Sequence, residues 1–426
     1  SPSPHSFPFD LMSRPLRLPI QILGAACLSA LLVLSSCTDE ASQASRNDTA
    51  PADSARFVDR TDSHLPMEAL QGLSMDAHPA DLDGDGDLDL VIAHEFRPNI
   101  LLENQGDGTF SDASDQIPSH DRDSEDVGIA DFDGDGDPDV LVVTEDDTTN
   151  EYYVNRGDGT FEDAGDRWPV AGTSNAIAVA DLTGDGAPDV VVGNNGQNRL
   201  LVNDGSGGFT DETDERLPAQ DDVTQDVEFG DADGDGDLDL LVGNEDANRL
   251  LLNDGTGVFA DAPSAALPIP DAPEETREAD FGDVDGDGDL DIHFANVRLF
   301  VEGADRQNRL LLNDGSGAFT DVTADRLPTD SLSALDGDLI DLDGDGDLDI
   351  LTSNVSIEEQ SIAPAPFEVF VNDGSGRFTR DDGQILPSGT TGRGFDSEAF
   401  DADGDGRLDL YLCSREGVDR LLLQRD

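Results

Sequence analysis

The chain has 426 residues and a formal net charge of −71, with 95 acidic residues, 24 arginines and no lysine. So large a negative charge excludes nucleic acid as a natural partner, because binding to phosphates depends on basic contacts. The acidity fits an exported protein that works in saline or calcium-rich surroundings.

The amino-terminal segment 1–36 has the pattern of an export signal. Arg14 and Arg17 precede an apolar stretch from Ile20 to Leu34, and small residues follow it. A basic start, a short apolar core and small residues before a cleavage point are typical of a secretory signal rather than of a spanning helix.

The signal ends in Leu-Ser-Ser-Cys, which resembles a bacterial lipobox. This resemblance implies that Cys37 is lipidated and anchors the mature protein to a membrane; an ordinary signal peptide cut nearby is the alternative. We expect an outer-membrane or cell-surface lipoprotein, with a periplasm-facing orientation left open. Segment 37–55 is polar and rich in Ser, Ala and Asp, which predicts a flexible tether.

Seven copies of an acidic loop follow the tether. The first copy reads Asp-Leu-Asp-Gly-Asp-Gly-Asp-Leu-Asp from Asp81 to Asp89, and successive copies start 50 to 60 residues apart. A period of this size is typical of solenoids and propellers. Four or more carboxylates within nine residues repel one another unless a hard cation lies between them, and the glycines permit the tight turn. The loops therefore predict up to seven Ca²⁺ sites; a solvated turn without an ion is the alternative.

The loop differs from an EF-hand. An EF-hand loop needs a bidentate Glu at its twelfth place and a helix on each side. Here the twelfth place is apolar or Thr, from Ile92 in the first copy to Leu412 in the last. The apolar, partly β-branched run after each loop predicts a strand instead.

One period, residues 222–262, contains four predicted strands. Val227–Phe229 precedes the acidic loop, Leu238–Val242 follows it, and Arg249–Leu252 and Phe259–Asp261 flank an Asn-Asp-Gly-Thr-Gly turn. Four antiparallel strands in each period are typical of a propeller blade. We therefore predict an all-β fold, a seven-bladed β-propeller of four-stranded antiparallel blades over residues 56–426.

The two ends of the repeat region have complementary phases. The last copy stops after its third strand, Arg420–Leu423, whereas Phe57–Thr61 before the first loop matches the fourth strand that begins at Phe319. The last blade is therefore predicted to be closed by the N-terminal strand, which leaves no unpaired blade.

The loop and the Asn-Asp-Gly-Ser-Gly-x-Phe turn resemble those of the FG-GAP or VCBS repeat family, also found in integrin alpha subunits. The resemblance implies that the first, third, fifth and ninth loop residues bind Ca²⁺ through side chains and the seventh through its carbonyl. Thr183 in the third copy replaces a carboxylate, so we expect that site to be the weakest. The implied metal-binding positions are Asp81, Asp83, Asp85, Asp87 and Asp89; Asp131, Asp133, Asp135, Asp137 and Asp139; Asp181, Thr183, Asp185, Ala187 and Asp189; Asp231, Asp233, Asp235, Asp237 and Asp239; Asp283, Asp285, Asp287, Asp289 and Asp291; Asp341, Asp343, Asp345, Asp347 and Asp349; and Asp401, Asp403, Asp405, Arg407 and Asp409.

Because strands alternate in direction, the loops and the Asn-Asp-Gly turns should share one face. The opposite face carries connections of variable length, of which Asn296–Gln307 and Asn354–Pro366 are the long examples. Loops on a rigid scaffold commonly carry binding sites, so we place the ligand there.

Six acids, five residues before a loop, are predicted to surround the channel mouth on that face: Asp76, Asp126, Asp226, Glu278, Asp336 and Asp396.

The sequence favours a non-catalytic, calcium-dependent binding or adhesion module for a protein or glycan ligand. No catalytic residue is predicted, because the six histidines have neither paired metal spacing nor a nearby nucleophile. Two alternatives remain: a calcium-dependent polysaccharide lyase, and an assembly lipoprotein that docks a partner protein.

Overall fold

A computed structural model describes residues 55–425, except 71, 119, 146–148, 271 and 359–360. The predicted export signal, the lipidation site Cys37 and the tether up to residue 54 lie outside the described residues. The described residues include no helix that is long and apolar enough to cross a membrane. The fold is all-β, and its sheets are antiparallel.

The strands pair into seven four-stranded antiparallel sets, one for each acidic loop. In each set the first strand enters the loop, the second leaves it, and the third and fourth flank the Asn-Asp-Gly turn or its equivalent. The first three sets are β2 (Ser74–Ala80), β3 (Asp89–Arg97), β4 (Ile100–Asn104) and β5 (Phe110–Asp112); β6 (Arg122–Ala130), β7 (Asp139–Thr144), β8 (Glu151–Asn155) and β9 (Phe161–Asp163); β10 (Ser174–Ala180), β11 (Asp189–Gly196), β12 (Arg199–Asn203) and β13 (Phe209–Asp211).

The remaining sets follow the same order, with two extra strands that lie outside it. The fourth and fifth sets are β14 (Asp222–Gly230), β15 (Asp239–Asn244), β16 (Arg249–Asn253) and β17 (Phe259–Asp261); β18 (Thr276–Gly282), β19 (Asp291–Asn296), β20 (Arg309–Leu312) and β21 (Thr320–Asp321). The sixth is β22 (Ser333–Ile340), β23 (Asp349–Glu358), β25 (Glu368–Asn372) and β26 (Phe378–Arg380), with the extra strands β24 (Ser361–Pro366) and β27 (Thr391–Gly392). The seventh is β28 (Gly394–Phe400), β29 (Asp409–Ser414) and β30 (Arg420–Gln424), with β1 (Phe57–Asp59) as its fourth strand.

Strand β1 pairs antiparallel with β30, with Phe57 opposite Gln424. The predicted strand Phe57–Thr61 is too long by two residues. The backbone N–H of Thr61 donates to Oδ1 of Asp59 at 3.0 Å, and this local bond turns the chain into a one-turn helix, α1 (Thr61–His64). Similar single turns follow the outer strands of three other sets: α2 (Thr213–Arg216), α3 (Thr323–Arg326) and the 3-10 turn Gly165–Arg167.

The first strands of the seven sets form a closed cycle of contacts. Each contacts the first strand of the following set, and β28 of the seventh set contacts β2 of the first. The first strands therefore surround a common axis, and the other strands of each set lie progressively further from it.

The hydrophobic core is divided into layers between neighbouring sets. One layer joins Leu90 and Leu102 of the first set to Tyr411 and Leu421 of the seventh. Second strands lie between two layers, so both of their faces are covered, and every residue of β7 is buried. This double coverage explains why the run after each loop is continuously apolar rather than alternating.

The predicted long connection Asn354–Pro366 is not an irregular loop. Strand β23 continues to Glu358 and pairs with β24 as a hairpin, and β24 in turn pairs with β27. Second strands also lengthen in two other sets, where β3 pairs with β6 and β11 pairs with β14 to form eight-stranded sheets.

Candidate metal centres and the opposite face

Each acidic loop is organised by hydrogen bonds from its own backbone to its first carboxylate. In the second copy, Asp131 Oδ1 accepts the N–H groups of Gly134 and Asp135 at 2.7 and 3.1 Å, and Oδ2 accepts that of Gly136 at 3.0 Å. Gly134 and Gly136 have φ of 76° and 100°, a left-handed region that side chains disfavour. The turn therefore brings the aspartate side chains of the loop close to one another.

The carboxylates within a loop lie close enough to share one ion. Ligand oxygens of Asp131, Asp133 and Asp139 are all within 4.8 Å of one another, and the same holds for the matching residues in the loops from Asp231 and Asp283. In the first copy the group consists of Asp81, Asp83 and Asp85. Because Ca²⁺ is held at 2.3–2.6 Å, oxygens up to about 5 Å apart can bind the same ion.

Two of these loops contain a buried carboxylate oxygen that lacks a donor. Oδ1 of Asp133 and Oδ1 of Asp285 are both buried without a hydrogen-bond partner among the described residues. Such an oxygen is costly unless something else satisfies it. A hard cation would do so, and the residues therefore fit Ca²⁺.

The ninth aspartate ties each loop to the turn of the same set. Asp139 accepts the N–H of Phe132 at 3.2 Å through Oδ2 and that of Asn155 at 2.8 Å through Oδ1. The side chain is fully buried, and burial raises the pKa of Asp139 to about 7. Equivalent pairs of bonds are made by Asp89, Asp189, Asp239, Asp291, Asp349 and Asp409.

The seventh loop residue directs its side chain away from the loop. A Cβ placed on Gly106, in the neighbouring turn, would lie 2.4 Å from Oδ2 of Asp87. The turn needs glycine there because of this approach and because Gly106 has φ of 75°. Matching contacts connect Gly157 with Asp137, Gly255 with Asp237, Gly315 with Asp289, and Gly374 with Asp347.

Two loops depart from the common pattern. In the third, Thr183 Oγ1 is buried without a partner among the described residues. In the seventh, Arg407 forms an ion pair with Asp405. Its guanidinium therefore competes with Ca²⁺ for one of the expected ligands. Sequence reasoning identified the first departure and missed the consequence of the second.

An asparagine that the sequence analysis did not single out links neighbouring sets. Asn155 Nδ2 donates to the carbonyl of Leu82, the second residue of the preceding loop, at 2.8 Å. The same link is made by Asn203 to Phe132, Asn313 to Ala232, Asn372 to Val284, and Asn104 to Ala402. The recurrence of Asn before Asp-Gly in the turns was the available signal.

The six acids of the predicted ring lie on first strands β2, β6, β14, β18, β22 and β28. Five stand directly after a register shift, and Asp396 lies within the shift between Gly394 and Ser397. Several reach across to the next first strand. Oδ2 of Asp76 accepts the N–H of Val127 at 3.0 Å, and Oδ2 of Asp126 accepts that of Ile177 at 2.7 Å. Oδ2 of Asp226 accepts the N–H of Ala279 at 3.0 Å, and Oδ2 of Asp396 accepts that of Ala77 at 3.1 Å. Oδ2 of Asp336 instead accepts the side-chain hydroxyl of Ser397 at 2.8 Å.

These carboxylates also affect one another. Burial, and then repulsion from Asp126, raises the pKa of Asp226 to about 8. Burial, followed by repulsion from Asp226 and Asp336, raises the pKa of Glu278 well above its usual value. Electrostatic repulsion thus connects neighbouring acids of this group, and their arrangement as a ring around a channel mouth stays a prediction.

The stability of the protein should depend on pH. In calcium-free buffer we expect the free energy of unfolding to increase as the pH falls from about 8 to 5. Carboxyls whose folded pKa is raised, from about 6 for Asp336 to about 8 for Asp226, bind protons more tightly in the folded state. Their contribution is complete below the unfolded pKa near 4 and is lost as the pH rises through 6–8.

Urea unfolding at each pH would measure this dependence. Asp226→Asn should reduce the slope and stabilise the protein at pH 8 by about 1 kcal/mol or more, because Asn keeps the acceptor without the charge. Asp221→Asn, at an exposed position, is the matched control. Equal slopes for the two variants would contradict the prediction.

Both long connections meet on the face opposite the loops, which we call the insertion face. Val297 and Leu299 from one connection pack with Val355, Ile357 and Ile362 from the other. Leu335 and Phe395 complete this apolar cluster.

A buried carboxylate holds one connection in a fixed shape. The N–H groups of Leu299, Phe300 and Val301 all donate to Glu275, at 2.8–3.0 Å, and Glu275 is fully buried. Phe300 nevertheless remains 50% exposed, with the Arg277 guanidinium 5.2 Å from its ring centre.

The most exposed large apolar residues lie on the same face, two of them in connections and one, Phe96, near the end of β3. They are Ile269 at 87%, Phe300 at 50% and Phe96 at 42%. Phe96 has a φ of 59°, which is a strained conformation for a bulky side chain.

The repeats identify the family. The chain belongs to the FG-GAP repeat family, since the FG-GAP-like repeat model matches residues 81–142, 131–192, 181–242, 231–294 and 298–352. No curated protein sequence matches the chain.

Solved structures share the fold at low sequence identity. The crystal structure of BBS1N in complex with ARL6DN is 12% identical, covers 87% of this chain and 98% of that chain, and gives a TM-score of 0.53. YCF48 bound to D1 peptide is 10% identical, covers 87% and 96%, and gives 0.52. An Agrocybe aegerita lectin that recognises non-reducing terminal N-acetylglucosamine is 18% identical, covers 82% and 87%, and gives 0.47. The first two support a propeller-like fold.

Proposed function

We propose that the protein is a non-catalytic, calcium-binding FG-GAP propeller that binds a protein or glycan ligand through its insertion face. In this proposal the seven strand sets are blades, β1 closes the seventh blade, and the acidic loops hold up to seven Ca²⁺ ions. The chain is exported and anchored at Cys37 to the outer membrane or cell surface, and the propeller supports adhesion.

The observation that carries the proposal is that the three most exposed large apolar side chains, Ile269, Phe300 and Phe96, all lie on the insertion face. Phe300 is presented by a connection whose backbone is already fixed by Glu275, so little conformational entropy remains to be lost on binding. Exposed apolar groups on a rigid surface are typical of interaction sites. The metal loops lie at the other end of the strands, where their role is to stabilise the scaffold.

A glycan array probed with the purified chain, in calcium and in EGTA, tests the proposal. We expect calcium-dependent binding to at least one glycan class, and at least a tenfold weaker signal for Phe300→Ala with Ile269→Ser. Val258→Ala, an exposed apolar position outside these connections, is the control. Equal binding by the double variant would remove the insertion face from the proposal.

The absence of catalysis has its own test. Acidic polysaccharides incubated with the chain in calcium should not yield unsaturated sugar products, and their release would favour the lyase alternative. If the array shows no binding under any condition, the glycan form of the proposal is wrong.

A further inference from the structure

A second group of carboxylates lies outside the acidic loops, on the insertion face. Ligand oxygens of Asp123, Glu125 and Glu145 are all within 4.8 Å of one another. Asp123 is 2% exposed, and the other two are half-buried. None of the three belongs to the repeated loop pattern.

Strand pairing between sets creates this group. Because β3 continues into a pairing with β6, Glu95 lies directly opposite Asp123, and directly opposite residues project to the same side of a sheet. The backbone N–H of Glu145 donates to the carbonyl of Asp123 at 2.9 Å. Four carboxylates, from β3, β6 and the residue that follows β7, are therefore neighbours, although like charges in opposite positions destabilise a sheet.

Glu95 supplies an independent indication of a missing cation. Its side chain is 5% exposed and Oε1 pairs with Arg415, but Oε2 is buried with no hydrogen-bond partner among the described residues. The guanidinium groups of Arg415 and Arg393 both act on Glu95, yet one buried oxygen of this carboxylate still has no donor or ion among the described residues.

At the corresponding position of the fourth set, the protein's own side chains neutralise the carboxylate. Glu245 corresponds to Glu145, and its N–H donates to the carbonyl of Val223 at 2.9 Å. Here Val223 and Gln225 stand where the second set has Asp123 and Glu125. Arg277 lies 3.2 Å from Glu245, and Gln225 Nε2 donates to the same carboxylate at 3.3 Å.

We propose that Asp123, Glu125, Glu145 and Glu95 form a divalent-cation site on the insertion face, separate from the seven loops. The ligands are all carboxylate oxygens, which hard cations prefer. The spacing of Asp123, Glu125 and Glu145 matches the 2.3–2.6 Å distances of Ca²⁺, and Glu95 stands beside them as the strand partner of Asp123. The half-buried Glu125 and Glu145 leave an open side through which water completes the coordination.

Counting bound Ca²⁺ on the full chain tests the site. Equilibrium dialysis followed by atomic emission should find one ion fewer per chain for Asp123→Asn with Glu125→Gln than for the unchanged protein. Glu245→Gln removes the same charge at the corresponding place and should leave the count unchanged. Circular dichroism in saturating calcium checks that each variant is folded.

If the double variant does not fold, the half-buried Glu145→Gln serves instead and should weaken one site at least tenfold. Equal counts and affinities for the unchanged chain and these variants, at all Ca²⁺ concentrations up to about 10 mM, would overturn the proposal. The result does not depend on the acidic loops. If the loops bind no Ca²⁺, we expect one bound ion for the unchanged chain and none for the double variant.

Discussion

Removing calcium should lower the melting temperature of the whole protein in a single transition, by roughly 10–25 °C. At ten to a hundred times Kd, each ion bound only to the folded state adds about 1.4–2.7 kcal/mol. Seven sites together would match the entire stability of an ordinary domain, about 5–15 kcal/mol. The temperature shift follows from an unfolding entropy of about 2 cal/mol/K per residue.

A single transition is expected because the loops are not independent. Each ninth aspartate bonds to the turn of its own set, as Asp139 does to Asn155. Asn155 in turn bonds to the preceding loop through Leu82. A loop that opens after losing its ion therefore weakens the next set as well.

Calorimetry with calcium and with EGTA would measure the effect. Asp133→Asn, which removes an expected ligand, should lower the melting temperature in calcium and have a smaller effect in EGTA. Asp158→Asn removes an exposed carboxylate from a turn and should change neither value. A shift of only a degree or two on chelation would show that the loops do not depend on calcium.

The second large effect is expected when β1 is weakened. Phe57 is fully buried in a core layer with Leu351 of the sixth set and Leu410 of the seventh. Phe57→Ala should reduce the free energy of unfolding in calcium by about 3–5 kcal/mol, the usual cost of truncating a buried aromatic side chain.

Deleting residues 55–60 should cost more, because backbone bonds are lost on both sides of β1. The N–H of Arg56 donates to the carbonyl of Gln384 at 2.8 Å, and that of Phe57 to Ile385 at 3.1 Å. Strand β30 would lose its partner on the other side. The segment thus connects the sixth and seventh sets.

Denaturant unfolding in saturating calcium would test both variants. Val58→Ala, at the half-buried neighbouring position, is the control and should cost about 1 kcal/mol or less. A loss below 1 kcal/mol for Phe57→Ala would mean that β1 is dispensable and that ring closure does not depend on it.

Features encoded within one period were predictable from the sequence. The predicted second, third and fourth strands of residues 222–262 match β15 to β17 to within two residues, because the loop and turn glycines fix where the chain reverses. The first strand was predicted too short, since β14 begins five residues before Val227. The partner of β1 was also predictable, since Phe57 and its neighbours repeat the pattern of an outer strand. The family resemblance added the expected ligand positions.

Features that arise between periods were not predictable. The group around Asp123 depends on the pairing of β3 with β6, and no local pattern shows the register between two sets. The hairpin of β23 and β24 was not predicted, since residues 354–366 were assigned only as a long connection. The ion pair of Arg407 with Asp405 was not predicted, because the sequence does not show which carboxylate the arginine side chain reaches.

The asparagine links have a mechanical consequence. Each side chain reaches back to the preceding loop, while its backbone N–H bonds to the ninth aspartate of its own loop. Loop, asparagine and next loop thus form a hydrogen-bonded path along the rim, documented at five of its junctions. At these five junctions, a force that pulls one set outward is opposed by the hydrogen bond to the neighbouring set, so the load is shared between adjacent sets.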